Sequence, residues 1–190
     1  MADTFIVGQF LGAGALAAVG SSYTLMTFLT SILLGMCMGS GAVFSIRYGE
    51  RDIPRLKNSM VQSFVMIAGF TLVLNLLVFL LIDPMMALLS VPADVYPLMR
   101  AYLWVIFFGI GGTFFYNYFA SLLRAVGNSA APLLFLGISA VLNIVLDVAF
   151  VVGIPWGVAG AAFATCLSQW VSGLGLLFYT WKKRDKGMLV

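Results

Sequence analysis

The chain has 190 residues, of which 62% are hydrophobic and only 9% charged, with a formal net charge of +3 and no histidine. Soluble domains carry about 25% charged residues, so a water-soluble globule is excluded, as is disorder, which requires low hydrophobicity and high charge. Without histidine, the usual transition-metal clusters and histidine-based catalytic triads lack their ligands and bases, and the lysines and arginines lie at the ends of apolar runs rather than in a nucleic-acid-binding patch.

A hydrocarbon core about 30 Å thick needs roughly 20 apolar residues per helix. By that criterion the sequence predicts an all-α membrane protein: a bundle of five complete transmembrane helices following a truncated first helix over residues 1–10. That first stretch is too short to cross a bilayer, so the chain is expected to begin within a helix. It does not read as a signal peptide, because Asp3 stands where a basic leader belongs. Gly12, Gly14 and Gly20 predict a break, after which the second helix covers residues 21–46. The third covers 58–82, bounded by the charged segment 47–57 and by Asp83-Pro84. The remaining helices are expected over 96–123, 130–152 and, after the Gly153-Ile154-Pro155-Trp156-Gly157 turn, 158–181. Cys37 and Cys166 fall within apolar runs, where cysteine behaves as a small buried hydrophobe.

Orientation follows from the asymmetry of lysine and arginine between short loops. Arg47, Arg51, Arg55 and Lys57 follow the second helix, Arg124 the fourth, and Lys182, Lys183, Arg184 and Lys186 the sixth, with Arg100 on the opposite side. Loops 47–57 and 182–190 are therefore expected in the cytoplasm of a multi-pass protein of the cell's inner (plasma) membrane. The alternation supports the helix count independently of hydropathy.

Asp147 lies in an otherwise uncharged run from 125 to 181, where an acid is costly and usually functional. Asn143 and Ser139 precede it by four and eight positions, so the three share one helical face. Thr165, Gln169 and Ser172 make a similar stripe on the sixth helix, as do Asn117, Ser121 and Arg124 on the fourth. Hydroxyls and amides of this kind usually act as interhelical hydrogen-bonding partners, at about 0.6 kcal/mol each. A carboxylate grouped with amide and hydroxyl oxygens suits a hard cation, and burial disfavours an ionised carboxyl, so the same cluster also suits a proton. Asp3 is either a second membrane-embedded acid or a solvated terminal charge. The fifth and sixth helices are expected to pack face to face through Gly157, Gly160, Ala161 and Ala164, bringing Asp147 near Thr165.

The segment Leu123-Arg124-Ala125-Val126-Gly127-Asn128, followed by Pro132, Asn143, Asp147, Gly157 and Gly160-Ala161-Ala162-Phe163-Ala164-Thr165, resembles the multidrug and toxic compound extrusion (MATE) transporters. Further matches are Asp3-Thr4-Phe5-Ile6-Val7-Gly8, Leu11-Gly12, Ala15-Leu16-Ala17-Ala18-Val19-Gly20, and Gly35, Gly39 and Gly41 leading to Arg47-Tyr48-Gly49. The resemblance implies one lobe of a two-lobe transporter, residues 1–190 being similar to the amino-terminal lobe, with the carboxy-terminal lobe as missing partner. It implies a secondary antiporter, not an enzyme, exporting drugs or organic cations across the lipid bilayer in exchange for sodium ions or protons. No cofactor beyond that coupling ion is implied, and the lobe alone is expected to be inactive. Carried over by position, the cation or proton site comprises Asp3, Asn143, Asp147 and Thr165, and a sodium ion would occupy the same residues.

Three alternatives are weighed beside it. A lipid-linked oligosaccharide or lipid II flippase of the same superfamily would need intramembrane basic residues, of which only Arg124 is a candidate. An intramembrane aspartyl protease pairing Asp3 with Asp147 lacks the Gly-x-Gly-Asp setting. A non-transporting helical remnant is the third.

Overall fold

The computed structural model describes residues 5, 8–9, 12–88, 93, 96–153 and 157–185. The expected first helix, with Asp3, falls outside the described residues apart from Phe5, Gly8 and Gln9. The described residues contain helices and turns and no strand. The helices are α1 (Ala13–Gly49), α2 (Ile53–Leu80), α3 (Ile82–Leu88), α4 (Tyr96–Ile106), α5 (Ile110–Ala125), α6 (Ala130–Asp147) and α7 (Gly157–Asp185). Among the described residues, five stretches are long and apolar enough to cross a membrane: Tyr23–Gly49, Ile53–Leu80, Met99–Ala125, Ala130–Gly153 and Ala159–Lys183.

α1 begins earlier than the glycine pattern predicts. Only Gly12 breaks the chain, at φ 90°, while Gly14 and Gly20 lie inside the helix. An isolated glycine costs a helix only about 1 kcal/mol relative to alanine, too little to end it. α2 likewise starts five residues before the expected Asn58, because Asp52 accepts the backbone N–H of Arg55 at 3.1 Å and Pro54 follows in the first turn. Capping and proline outweigh the local charge.

The expected fourth helix, 96–123, is two helices, α4 and α5, joined through a 3-10 turn at Phe107–Gly109. Here α7 crosses at very short range. A Cβ on Gly112 would lie 2.7 Å from the backbone nitrogen of Trp170, and one on Gly173 would lie 2.6 Å from the carbonyl oxygen of Gly112. Backbone meets backbone, the contact that holds membrane helices together where no hydrophobic drive exists between them. The Trp170 indole N–H donates to the carbonyl of Phe108 at 2.8 Å, tying α7 to the tightened turn.

The Leu123-to-Asn128 segment is a helix stop. Gly127 has φ 88° and the Asn128 N–H bonds the Leu123 carbonyl at 2.8 Å, a Schellman closure of α5. The Asn128 side chain then accepts the Ala131 N–H at 3.2 Å and donates to the Tyr179 hydroxyl at 3.2 Å, starting α6 and fixing it to α7.

Two apolar clusters fill the bundle. One gathers Leu33, Met86, Met99, Leu103 and Phe107; the other gathers Phe44, Ile67, Phe114, Tyr118 and Leu123. In the second, the Tyr118 hydroxyl donates to the Met60 carbonyl at 2.6 Å and lies 3.2 Å from Ser63 Oγ, so a buried aromatic joins α5 to α2 with its polar end satisfied. Beyond the spans, Asp83 on α3 accepts the Tyr96 hydroxyl at 2.6 Å and Arg100 Nε at 2.9 Å. These bonds lower the Asp83 pKa and raise that of Tyr96, the Tyr96–Asp83 hydrogen bond being the largest cause in each case.

Candidate functional site

Most of α6 faces outward: Leu133, Leu134, Ile138, Val141 and Val145 are all exposed. The polar positions form the stripe that meets α7. Ser139 Oγ donates to the Ser168 carbonyl at 3.2 Å, and one turn on, Asn143 Nδ2 donates to Thr165 Oγ1 at 3.1 Å. This antiparallel register carries Asp147, one turn further, to the level of Gly160 and Ala161, both buried. Asp147 itself is fully buried, with 0% exposure. It closes α6, and the chain continues as a π-helical turn over Val148–Gly153. Such turns are rare and cluster at functional sites.

Of the four expected site residues, Asn143 and Thr165 are joined directly, and Asp147 lies on the same seam. Asp3 lies outside the described residues. With its amide nitrogen committed to Thr165, Asn143 retains its oxygen as an acceptor. The Asp147 carboxyl and the Asn143 and Thr165 oxygens on this seam make a hard, oxygen-only donor set, unlike the nitrogen and sulfur ligands that suit zinc or copper.

The α7 stripe does not act as one unit. Thr165 turns to α6, whereas Gln169 turns to the α4–α5 break, where its Oε1 occupies the space that a side chain on Gly109 would fill. Ser172 donates to the Gln169 carbonyl of its own helix at 3.2 Å. On α5, Asn117 likewise bonds within its helix, to Thr113, and Arg124 is exposed. Ser168 was not singled out by sequence, yet its carbonyl receives Ser139 and its hydroxyl donates to Ala164 at 2.9 Å. The signal was its place one helical turn from Thr165 (i, i+3), as Ser139 stands one turn from Asn143 (i, i+4).

Helices of membrane length, close glycine crossings and a buried acid on a polar seam define a multi-pass α-helical membrane protein. The chain belongs to the MatE family, whose model matches residues 1–149. It is 34% identical over 182 residues to the probable multidrug resistance protein YpnP of Bacillus subtilis (strain 168), covering 96% of this chain and 41% of that one. It is 30% identical to the probable multidrug resistance protein NorM of Thermotoga maritima, covering 100% of this chain and 41% of that protein. A crystal structure of MATE in the bent conformation superposes with a TM-score of 0.92 at 28% identity, covering 97% of this chain and 41% of that one. The chain thus spans about 41% of the length of the relatives it matches, consistent with one lobe.

Proposed function

We propose that the chain is the amino-terminal lobe of a secondary antiporter that exports drugs or organic cations in exchange for sodium ions or protons. The observation that carries this reading is the full burial of Asp147 on the α6–α7 seam, one turn from the Asn143–Thr165 bond. An ionised carboxyl there is stabilised by a bound cation or neutralised by a proton, so occupancy and closure of the seam are linked. Asp147 supplies the charge, Asn143 and Thr165 supply neutral oxygens, and Asp3 would add a second carboxyl from the first helix. Export itself requires the second lobe, since alternating access is the movement of two halves about a shared site. The basic ends of the helices orient loops 47–57 and 182–190 to the cytoplasm of a plasma-membrane protein. The flippase alternative gains no support from the bundle, whose arginines lie at helix ends and in loops.

The test is Asp147→Asn in a transporter carrying both lobes. The amide preserves size and hydrogen bonding while removing ionisation, so insertion should persist and ion-driven export of a fluorescent cation from energised vesicles should be abolished. Unchanged export at equal expression would make Asp147 a packing residue.

A further inference from the structure

Away from that seam, α1 and α2 leave an open groove of about 430 Å³ between them, its walls including Met36, Ser40 and Val43 on α1 and Ser59, Gln62 and Met66 on α2. The two walls repeat one pattern. On α1, Met36, Ser40, Val43 and Arg47 stand at i, i+4, i+7 and i+11; on α2, Arg55, Ser59, Gln62 and Met66 keep the same spacing. The lining ends at Val43 and Ser59, and Arg47 and Arg55 stand one turn beyond it; because the helices are antiparallel, each helical face thus runs from an arginine at the mouth, past hydroxyl or amide groups, to a methionine at depth. The mouth coincides with the end of one span and the start of the next, at Gly49 and Ile53. Eleven residues of helix place the methionines about 16 Å deeper.

The charge at the mouth is positive. Arg47 pairs with Glu50 and Arg55 with Asp52, each at 3.2 Å, while the exposed Arg51 and Lys57 add two further cations. Exposed pairs of this kind are weak and exchange readily for a better anion. The groove floor is open too, since a Cβ on Gly39 would meet nothing within 4 Å. Basic at the interface, hydroxyl-lined below it and apolar at depth, the groove reproduces the polarity profile of a phospholipid and repels an organic cation at its entrance.

We propose that this groove binds an anionic phospholipid of the adjoining leaflet, with phosphate at Arg47 and Arg55, the glycerol esters beside Ser40, Ser59 and Gln62, and an acyl chain along Met36 and Met66. The test is native mass spectrometry of the full chain released from micelles and titrated with phosphatidylglycerol or phosphatidylcholine. Phosphatidylglycerol should bind more tightly than phosphatidylcholine. Arg47→Gln combined with Arg55→Gln should weaken phosphatidylglycerol roughly tenfold or more, as expected for two lost interfacial cations. Gly39→Leu, which fills the groove without touching charge, should weaken both lipids. Arg124→Gln combined with Lys182→Gln, at other helix ends, should change neither. Helicity by circular dichroism checks folding, and the paired arginine variant, altered only at the membrane surface, keeps the test decisive if Gly39→Leu misfolds. Equal loss in the Arg124/Lys182 variant would reduce the effect to diffuse surface charge and overturn the proposal. So would full retention in the arginine variant, or displacement of the lipid by tetraphenylphosphonium.

Discussion

The crossing of α5 and α7 at Gly112 and Gly173 makes a quantitative prediction about what holds the bundle together. In Gly112→Ala the new Cβ would lie 2.7 Å from the Trp170 nitrogen and 2.8 Å from the Gln169 carbonyl carbon, where ordinary contact begins at 3.4 Å. Both obstructing atoms are backbone, so no rotamer change relieves them and the helices must part by about 0.7 Å. A gap of that size forfeits roughly a quarter to a half of each dispersion contact along the seam. We therefore expect a destabilisation of about 2–3 kcal/mol, at the upper end of overpacking costs. Gly35→Ala and Gly137→Ala are the controls. Their Cβ atoms meet nothing within 4 Å, and alanine in an exposed helix is expected to be neutral or up to about 1 kcal/mol stabilising. Reversible unfolding in mixed micelles with added dodecyl sulfate, followed by far-ultraviolet circular dichroism, measures all three variants. If Gly112→Ala unfolds alongside the two controls, the backbone crossing is not what holds α5 to α7.

Tyr118→Phe removes the 2.6 Å bond to the Met60 carbonyl while keeping the ring, so a loss of about 1 kcal/mol is expected in the same unfolding assay; wild-type stability would mean the hydroxyl contributes nothing. Asn143→Ala and Thr165→Val should be non-additive, with a coupling of about 0.6 kcal/mol in a double-mutant cycle, and strict additivity would deny their hydrogen bond. The Asp83 carboxyl, held below 3.8, stabilises the α3–α4 corner above that pH and loses the effect as pH falls through its lowered pKa. Tyr96, held above 10.0, contributes below that pH and loses its effect as pH rises through its raised pKa, so the corner should be constant between the two. Carboxyl carbon NMR of Asp83 checks this, and a midpoint at or above 3.8 would contradict it.

How much of this could be read from sequence depended on what a bilayer makes visible. Spans follow from hydropathy because the hydrocarbon core selects for length, and α2, α6 and α7 were legible within a few residues at most of their ends. Boundaries moved where local chemistry overrode composition: Asp52 and Pro54 drew α2 into a charged segment, and Gly14 and Gly20 failed to stop α1 because an isolated glycine costs a helix only about 1 kcal/mol. The 3-10 break at Phe107–Gly109 left no hydropathy signal, since all its residues are as apolar as their neighbours.

The polar seam was legible on α6 and ambiguous on α7 for one physical reason. Lipid is as apolar as a membrane-protein core, so hydrophobic periodicity cannot tell an inward face from an outward one. Only polar groups and missing side chains mark the inward surface. α6 contacts the bundle along one strip, so Ser139, Asn143 and Asp147 could only be that strip. α7 packs against α4, α5 and α6 at once, so its polar residues need not share a destination, and Thr165 and Gln169, four residues apart, reach different neighbours. What separates them is glycine on the partner: Gly109 makes room for Gln169, whereas Thr165 meets a side chain of matching hydrogen-bonding capacity. A sequence reading that asks which opposing helix offers space, as well as which face is polar, would assign Gln169 to the α4–α5 break and keep the α6–α7 seam for the buried acid.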